Sequence, residues 1–238
     1  MKNIKKVNNN IMMMLLIVFI IAIILLQINN AVEFKDFSYR IDNNSILITE
    51  YNGNNEFVEI PDYIENKPVL KIESMAFYEK GIRSVKLPIQ LEYIGNFAFY
   101  GNEIEYVEFP NDLNVISGNC FQNNKLKSIE IPNSVSEVGI AAFKNNEIEY
   151  IKISNKMKYI SPEVFYNNKL KTVVIPDHIE LIACNAFAYN EIENLKLSNA
   201  LSEILSGAFY SNKLKQIELP ITLKFIGFMA FDENLLDI

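Results

Sequence analysis

The chain has 238 residues, half of them hydrophobic, enough to bury a sizeable core in one unit. Its formal net charge of −7 excludes the basic stripe that a nucleic-acid binder presents. One histidine, two cysteines and no tryptophan leave little material for a metal centre or a nucleophilic triad.

The first element is a targeting segment over residues 1–31. Lys2, Lys5 and Lys6 precede the unbroken apolar run Ile11 to Leu26, which fades through Gln27 and Ile28 into Asn29, Asn30 and Ala31. A cleavable signal has an apolar core of about 7–15 residues, and a spanning helix needs roughly 17 or more. The run lies on that border, so it reads either as a signal peptide or as a membrane anchor over residues 11–28. Both readings keep the lysines inside and export everything from about Val32 onward. The expected location is therefore extracytoplasmic, at the cell surface or secreted, with membrane contact through this segment only. No cysteine follows the run, which excludes lipid attachment there.

Beyond it the chain is periodic. Phenylalanine recurs every 22 residues at Phe77, Phe99, Phe121, Phe143, Phe165, Phe187, Phe209 and Phe231. A small residue precedes most of them, as in Ala98, Cys120 and Ala142, with Val164 the exception. Three residues after the phenylalanine stands an asparagine, in the column Asn102, Asn124, Asn146, Asn168, Asn190, Asn212 and Asn234. Each unit also carries alternating polar and apolar positions, as at Ser128 to Ile131, and this predicts a short strand. Proline closes most of these runs, as at Pro88, Pro110 and Pro132, because it has no N–H for a ladder. Ser161-Pro162-Glu163-Val164-Phe165 predicts a short helical turn, with serine as N-cap and proline at the first helical position. One strand and one turn cannot bury an apolar side alone. Stacked copies can, around a continuous Phe/Ile/Leu core.

Charges follow the same logic. Four residues past each phenylalanine the series runs Glu103, Lys125, Glu147, Lys169, Glu191, Lys213, and two residues further it runs Glu105, Lys127, Glu149, Lys171, Glu193, Lys215. Equivalent residues of stacked turns lie about 4.8 Å apart, so alternating signs allow each charge to pair with both neighbours. These residues read as a structural ladder. The asparagine column likewise reads as capping of backbone groups at the turn.

The repeated pattern L-x-x-I-x-I-P … A-F-x-x-N resembles the BspA-like class of leucine-rich repeats, from about Phe37 to the C-terminus. The resemblance implies a repeat solenoid: a right-handed superhelix with a parallel sheet of short strands on its concave face and short helical turns on the convex side. It also implies an N-terminal β-hairpin cap over 32–71, with strands at Tyr39–Ile41 and Ile46–Tyr51. A lead-in follows at Ile60, Pro61, Ile64, Pro68, Val69, Ile72 and Phe77, and the solenoid occupies 72–238. The commoner 23-residue form of the repeat carries cysteine where this chain has asparagine, so a slightly tighter turn is expected. The family is one of bacterial surface and secreted proteins, and such repeats are presentation surfaces.

Nothing in the sequence assembles catalytic chemistry or a cofactor site. Cys120 sits in the buried small-residue column. Cys184 lies three turns on, roughly 14 Å away and beyond the ~7 Å limit for a disulfide. His178 is expected to be exposed in a connecting loop. The acidic pairs belong to the ladder and make a poor glycosidase dyad. The open face of the sheet remains. Its two outward rows hold the candidate partner-binding residues Tyr106, Glu108, Glu130, Tyr150, Lys152, Thr172, Val174 and Lys196, with the exposed tyrosines as anchors. The expected function is non-enzymatic binding or adhesion to a protein or glycan through that face. The alternative is an envelope component that forms homodimers through its last turn, where Leu235, Leu236 and Ile238 leave an apolar rung without a capping repeat.

Overall fold

The structure is a computed structural model that describes residues 34–237, so the expected targeting segment lies outside the described residues. No helix within them is long and apolar enough to cross a membrane.

The chain enters through a hairpin. Phe37–Asp42 pairs antiparallel with Ser45–Tyr51. The connection is Asn43-Asn44, with φ of 46° and 69°, the left-handed geometry that suits asparagine in a two-residue turn. Ser45–Tyr51 then runs parallel to Lys67–Ile72, which is itself folded against Tyr63–Ile64. In this way the hairpin feeds a stack of parallel turns.

About eight turns follow, each carrying strand positions on two sides. On the open side three-residue strands pair in twos, parallel and in register. Phe57–Glu59 pairs with Ser84–Lys86, Ser128–Glu130 with Tyr150–Lys152, and Thr172–Val174 with Asn194–Lys196. Residues 106–108 and 216–218 have the same alternating pattern without forming a ladder. On the other side two-residue strands run Tyr93–Ile94, Val115–Ile116, Glu137–Val138, and then Tyr159–Ile160 to Phe225–Ile226 in a second series. This second ladder carries Val138 and its equivalents Ile94 and Ile116, and the sequence pattern alone did not disclose it.

The core is the phenylalanine column. Successive rings stack along the axis, at 4.8 Å for Phe77–Phe99, 5.0 Å for Phe99–Phe121 and 5.9 Å for Phe121–Phe143. The column continues at 5.3 Å between Phe209 and Phe231. Tyr51 closes its N-terminal end, 5.5 Å from Phe77, with Phe37 packed behind it. Rings from Phe77 to Phe209 are fully buried, each removing enough apolar area to favour the folded state by about 1.5–3 kcal/mol. The alanine, cysteine or valine before each ring is buried too, because a larger residue would collide with the neighbouring turn.

The expected helical turns are not present. Among the described residues the only helix is a 3-10 turn at Phe34–Asp36. The residue two before each phenylalanine has a left-handed backbone, with φ of 57° at Phe97, 56° at Asn119 and 54° at Glu163, and this interrupts any helix. The N–H groups that a helix would use internally instead reach the next turn: Phe97 donates to Gly118 at 3.0 Å and Phe99 to Cys120 at 2.8 Å. Ser161 is therefore no N-cap, and its hydroxyl donates to the Val138 carbonyl of the preceding turn.

Candidate functional site

The open-face strands are too short to point more than one residue inward. In Ser84–Lys86 and Thr172–Val174 the middle valine is buried and its neighbours face solvent, as the two-residue alternation of a strand requires. The first outward row therefore holds Ser84, Tyr106, Ser128, Tyr150, Thr172, Asn194 and Gln216. The second holds Lys86, Glu108, Glu130, Lys152, Val174, Lys196 and Glu218. Tyr106 is 61% exposed, Tyr150 53% and Val174 55%.

One member of this face is not legible from the 22-residue spacing. Phe57 is in register with Ser84, heads the first row and is 72% exposed. The hairpin Tyr63–Ile72 interrupts the count between Phe57 and Ser84, so spacing did not reach it. The available signal was local: Phe57-Val58-Glu59 alternates and is followed by Ile60-Pro61, as the later strands are.

The sequence-selected residues separate into two groups. Tyr106, Glu108, Glu130 and Lys152 line one groove of about 520 Å³, with Ser128 on its floor. Thr172, Val174 and Lys196 line another of about 460 Å³, together with Gln216 and Glu218. Tyr150 lines neither of them. Tyr106 and Glu108 also form one wall of a groove of about 620 Å³ that reaches back to Ser84 and Lys86. Tyr106 thus stands between two depressions.

Charge on this face is partly spent internally. Lys152 lies 3.3 Å from Glu130, and Lys86 pairs with Glu59. Glu108 has no ion pair among the described residues. The main chain from Tyr106 to Phe109 likewise has no hydrogen-bond partner among them.

Behind the face, the asparagine column joins the turns. Asn124 accepts the Ile104 N–H at 3.0 Å, and its amide donates to the Phe99 and Phe121 carbonyls at 2.8 and 3.2 Å. Asn102, Asn146, Asn168, Asn190 and Asn212 bond in the same way, each buried. Every side chain therefore answers backbone groups from two successive turns. Buried and bonded at both ends, these amides serve the stack and do not face a ligand.

The flanking charges pair less fully than alternation suggests. Lys127 reaches Glu105 at 2.6 Å, Lys169 reaches Glu147 at 2.7 Å and Lys213 reaches Glu191 at 2.7 Å, each toward the preceding turn. Only Glu103 is approached from both sides, by Arg83 at 3.5 Å and Lys125 at 3.1 Å. Arg83 likewise spans two carboxylates, Glu56 at 3.3 Å and Glu103 at 3.5 Å, whereas Lys127, Lys169 and Lys213 each reach one. The lysine hydrogen bonds hold the carboxyls of Glu103, Glu105, Glu147 and Glu191 below their usual range.

The remaining chemistry-bearing groups are Cys120, Cys184 and His178. Cys120 is fully buried, which pushes its thiol well up, and both cysteines are free. His178 is half-buried, not loop-exposed as expected, with its ring Nε2 3.1 Å from the Ser154 carbonyl. Among the described residues, no three histidine, cysteine or acidic side chains gather as a metal site would need.

Comparison with known proteins places the molecule. Two solved structures share the fold. One is a leucine-rich repeat protein from Bacteroides ovatus, at 21% identity and TM-score 0.59, covering 81% of this chain and 60% of that one. The other is a leucine-rich cell surface protein from Faecalibacterium prausnitzii, at 23% identity and TM-score 0.52, covering 83% of this chain and 50% of that one. The chain thus spans half to three-fifths of the length of these relatives. No curated protein matches it. The model of the BspA type leucine-rich repeat region matches in 6 copies over residues 70–191 and 114–237. With the stacked phenylalanines and the parallel ladders, that match across most of the chain establishes that it belongs to the BspA-type leucine-rich repeat family.

Proposed function

We propose that this protein is a non-enzymatic, exported scaffold that binds a protein or glycan at the bacterial cell surface through its concave sheet. The observation that carries this reading is the outward row. Its aromatics at Phe57, Tyr106 and Tyr150 are exposed, while the neighbouring core and asparagine columns repeat almost without change. A solvated face needs no exposed aromatics for folding, whereas a binding face uses them as anchors. Export is supported by the lysine-flanked apolar run at 11–28 and by the family's surface proteins. The test is a variant with Tyr106, Tyr150 and Lys152 replaced by alanine, compared in pull-downs from the native surface. Loss of the captured partner at an unchanged melting temperature supports the site, and undiminished capture moves it elsewhere.

A second reading rests on the last turn. Ile221 is fully exposed, Phe228 is 75% exposed, and Phe225, Ile226 and Leu235 lie open beside them. Self-association through this surface would bury them. Sedimentation should then show a dimer that Phe228→Glu or Leu236→Glu dissociates, and a monomer at all concentrations would dismiss it.

A further inference from the structure

The spacing of the aromatics specifies the partner more narrowly, and this step rests on the concave-face reading above. Phe57, Tyr106 and Tyr150 occupy every second rung of one row, with Ser84 and Ser128 between them. Two turns span about 10 Å, following the core rings, which step 4.8 Å from Phe77 to Phe99 and 5.0 Å from Phe99 to Phe121. A strand-like peptide repeats the same face every two residues, about 7 Å, and falls out of step with such platforms. A polyproline II segment repeats its face every three residues, about 9.3 Å, and stays in step.

One further feature agrees with that ligand. Glu108, two residues from Tyr106, is an exposed carboxylate with no ion pair among the described residues, whereas Glu59 and Glu130 are each held by a lysine. The face therefore complements a ligand with one basic side chain near its middle. A stacked glycan could use the same tyrosines, but the uncompensated carboxylate favours a cationic peptide.

We infer that the face from Phe57 to Tyr150 binds a proline-rich polyproline II segment of about seven residues carrying one basic side chain at Glu108. Phe57, Tyr106 and Tyr150 receive successive apolar faces of the segment, and the grooves on either side of Tyr106 seat the residues between.

The probe is a labelled ten-residue peptide of Pro-Pro-Xaa triplets with one central arginine, titrated onto the full-length, detergent-solubilised protein by fluorescence anisotropy. Saturable binding should weaken about tenfold with Tyr106→Ala or Tyr150→Ala at unchanged melting temperature. Replacing the prolines of the peptide by glycine should weaken it to a similar degree. Glu108→Gln should remove the preference for the arginine peptide over its alanine counterpart without changing binding of the latter. No saturable binding, equal binding of the glycine peptide, or indifference to Tyr106→Ala would each overturn the inference. Tyrosine-dependent binding of a β-1,4-linked hexasaccharide in place of the peptide would overturn it too, yet leave the concave-face reading standing. That broader reading fails only if the triple alanine variant still captures the native partner.

Discussion

The interior columns and the open sheet face share one backbone repeat and obey opposite rules. In the interior, Asn146 accepts the Leu126 N–H and donates to the Phe121 and Phe143 carbonyls, and one turn on Asn168 accepts the Ile148 N–H and donates to the Phe143 and Tyr166 carbonyls. On the face, the three turns that these amides join present Glu130, Lys152 and Val174, where the first two pair at 3.3 Å and the third carries no charge. Buried polar groups have no water to fall back on, so each turn must repeat the same solution. Exposed positions are released from that requirement, and there the sequence is free to follow a partner. Periodicity therefore marks what holds the protein together, and departures from it mark where function can be sought.

Three experiments would break or sharpen this contrast. The largest effect is expected for Asn146→Ala, which strands a buried N–H and two carbonyls and should cost about 3–5 kcal/mol in urea unfolding. A loss under 1 kcal/mol would mean that water or another group replaces the amide. A smaller effect, in the opposite direction, is expected for Ser211→Gly. Ser211 has φ of 54°, and the equivalent position five repeats earlier is Gly101 at 68°. Removing the strained side-chain geometry should stabilise the fold by up to about 1 kcal/mol, read as a raised urea midpoint.

The smallest effect concerns pH. The carboxyls of Glu103, Glu105, Glu147 and Glu191 are lowered from the usual 4.5 by lysine hydrogen bonds. A lowered folded value means the stabilisation is fully present above 4.5 and is lost as pH falls through the folded values. A shallow decline in melting temperature below that pH is expected, and replacing the four by glutamine should flatten it. Because these groups are solvated, the decline should be slight beside the Asn146 effect. A steep loss would make the charge ladder, and not the amide column, the principal link between turns.

Much of this architecture was legible in particular residues. The phenylalanine spacing located the core column, and the lysine–glutamate exchange pointed to stacking of turns. The proline positions marked strand ends. The turn conformation was not legible: Ser161-Pro162-Glu163 has the local signature of a helix start, yet Glu163 is left-handed and the serine hydroxyl binds a carbonyl of the turn before. Local propensity was outweighed by hydrogen bonds between turns, which no single repeat contains. Phe57 escaped for a related reason, since the cap hairpin broke the count that identified its neighbours.

The sequence by itself determined that the chain is a stack of equivalent turns, because only stacking can bury an apolar residue that recurs at fixed spacing. It also determined which residues alternate outward on each short strand. Tertiary structure alone decided which turns pair on the open face, which way each lysine leans, and that Glu108 has no ion pair among the described residues. Those outcomes depend on ångström-scale offsets between neighbouring turns, and a one-dimensional pattern carries no measure of distance.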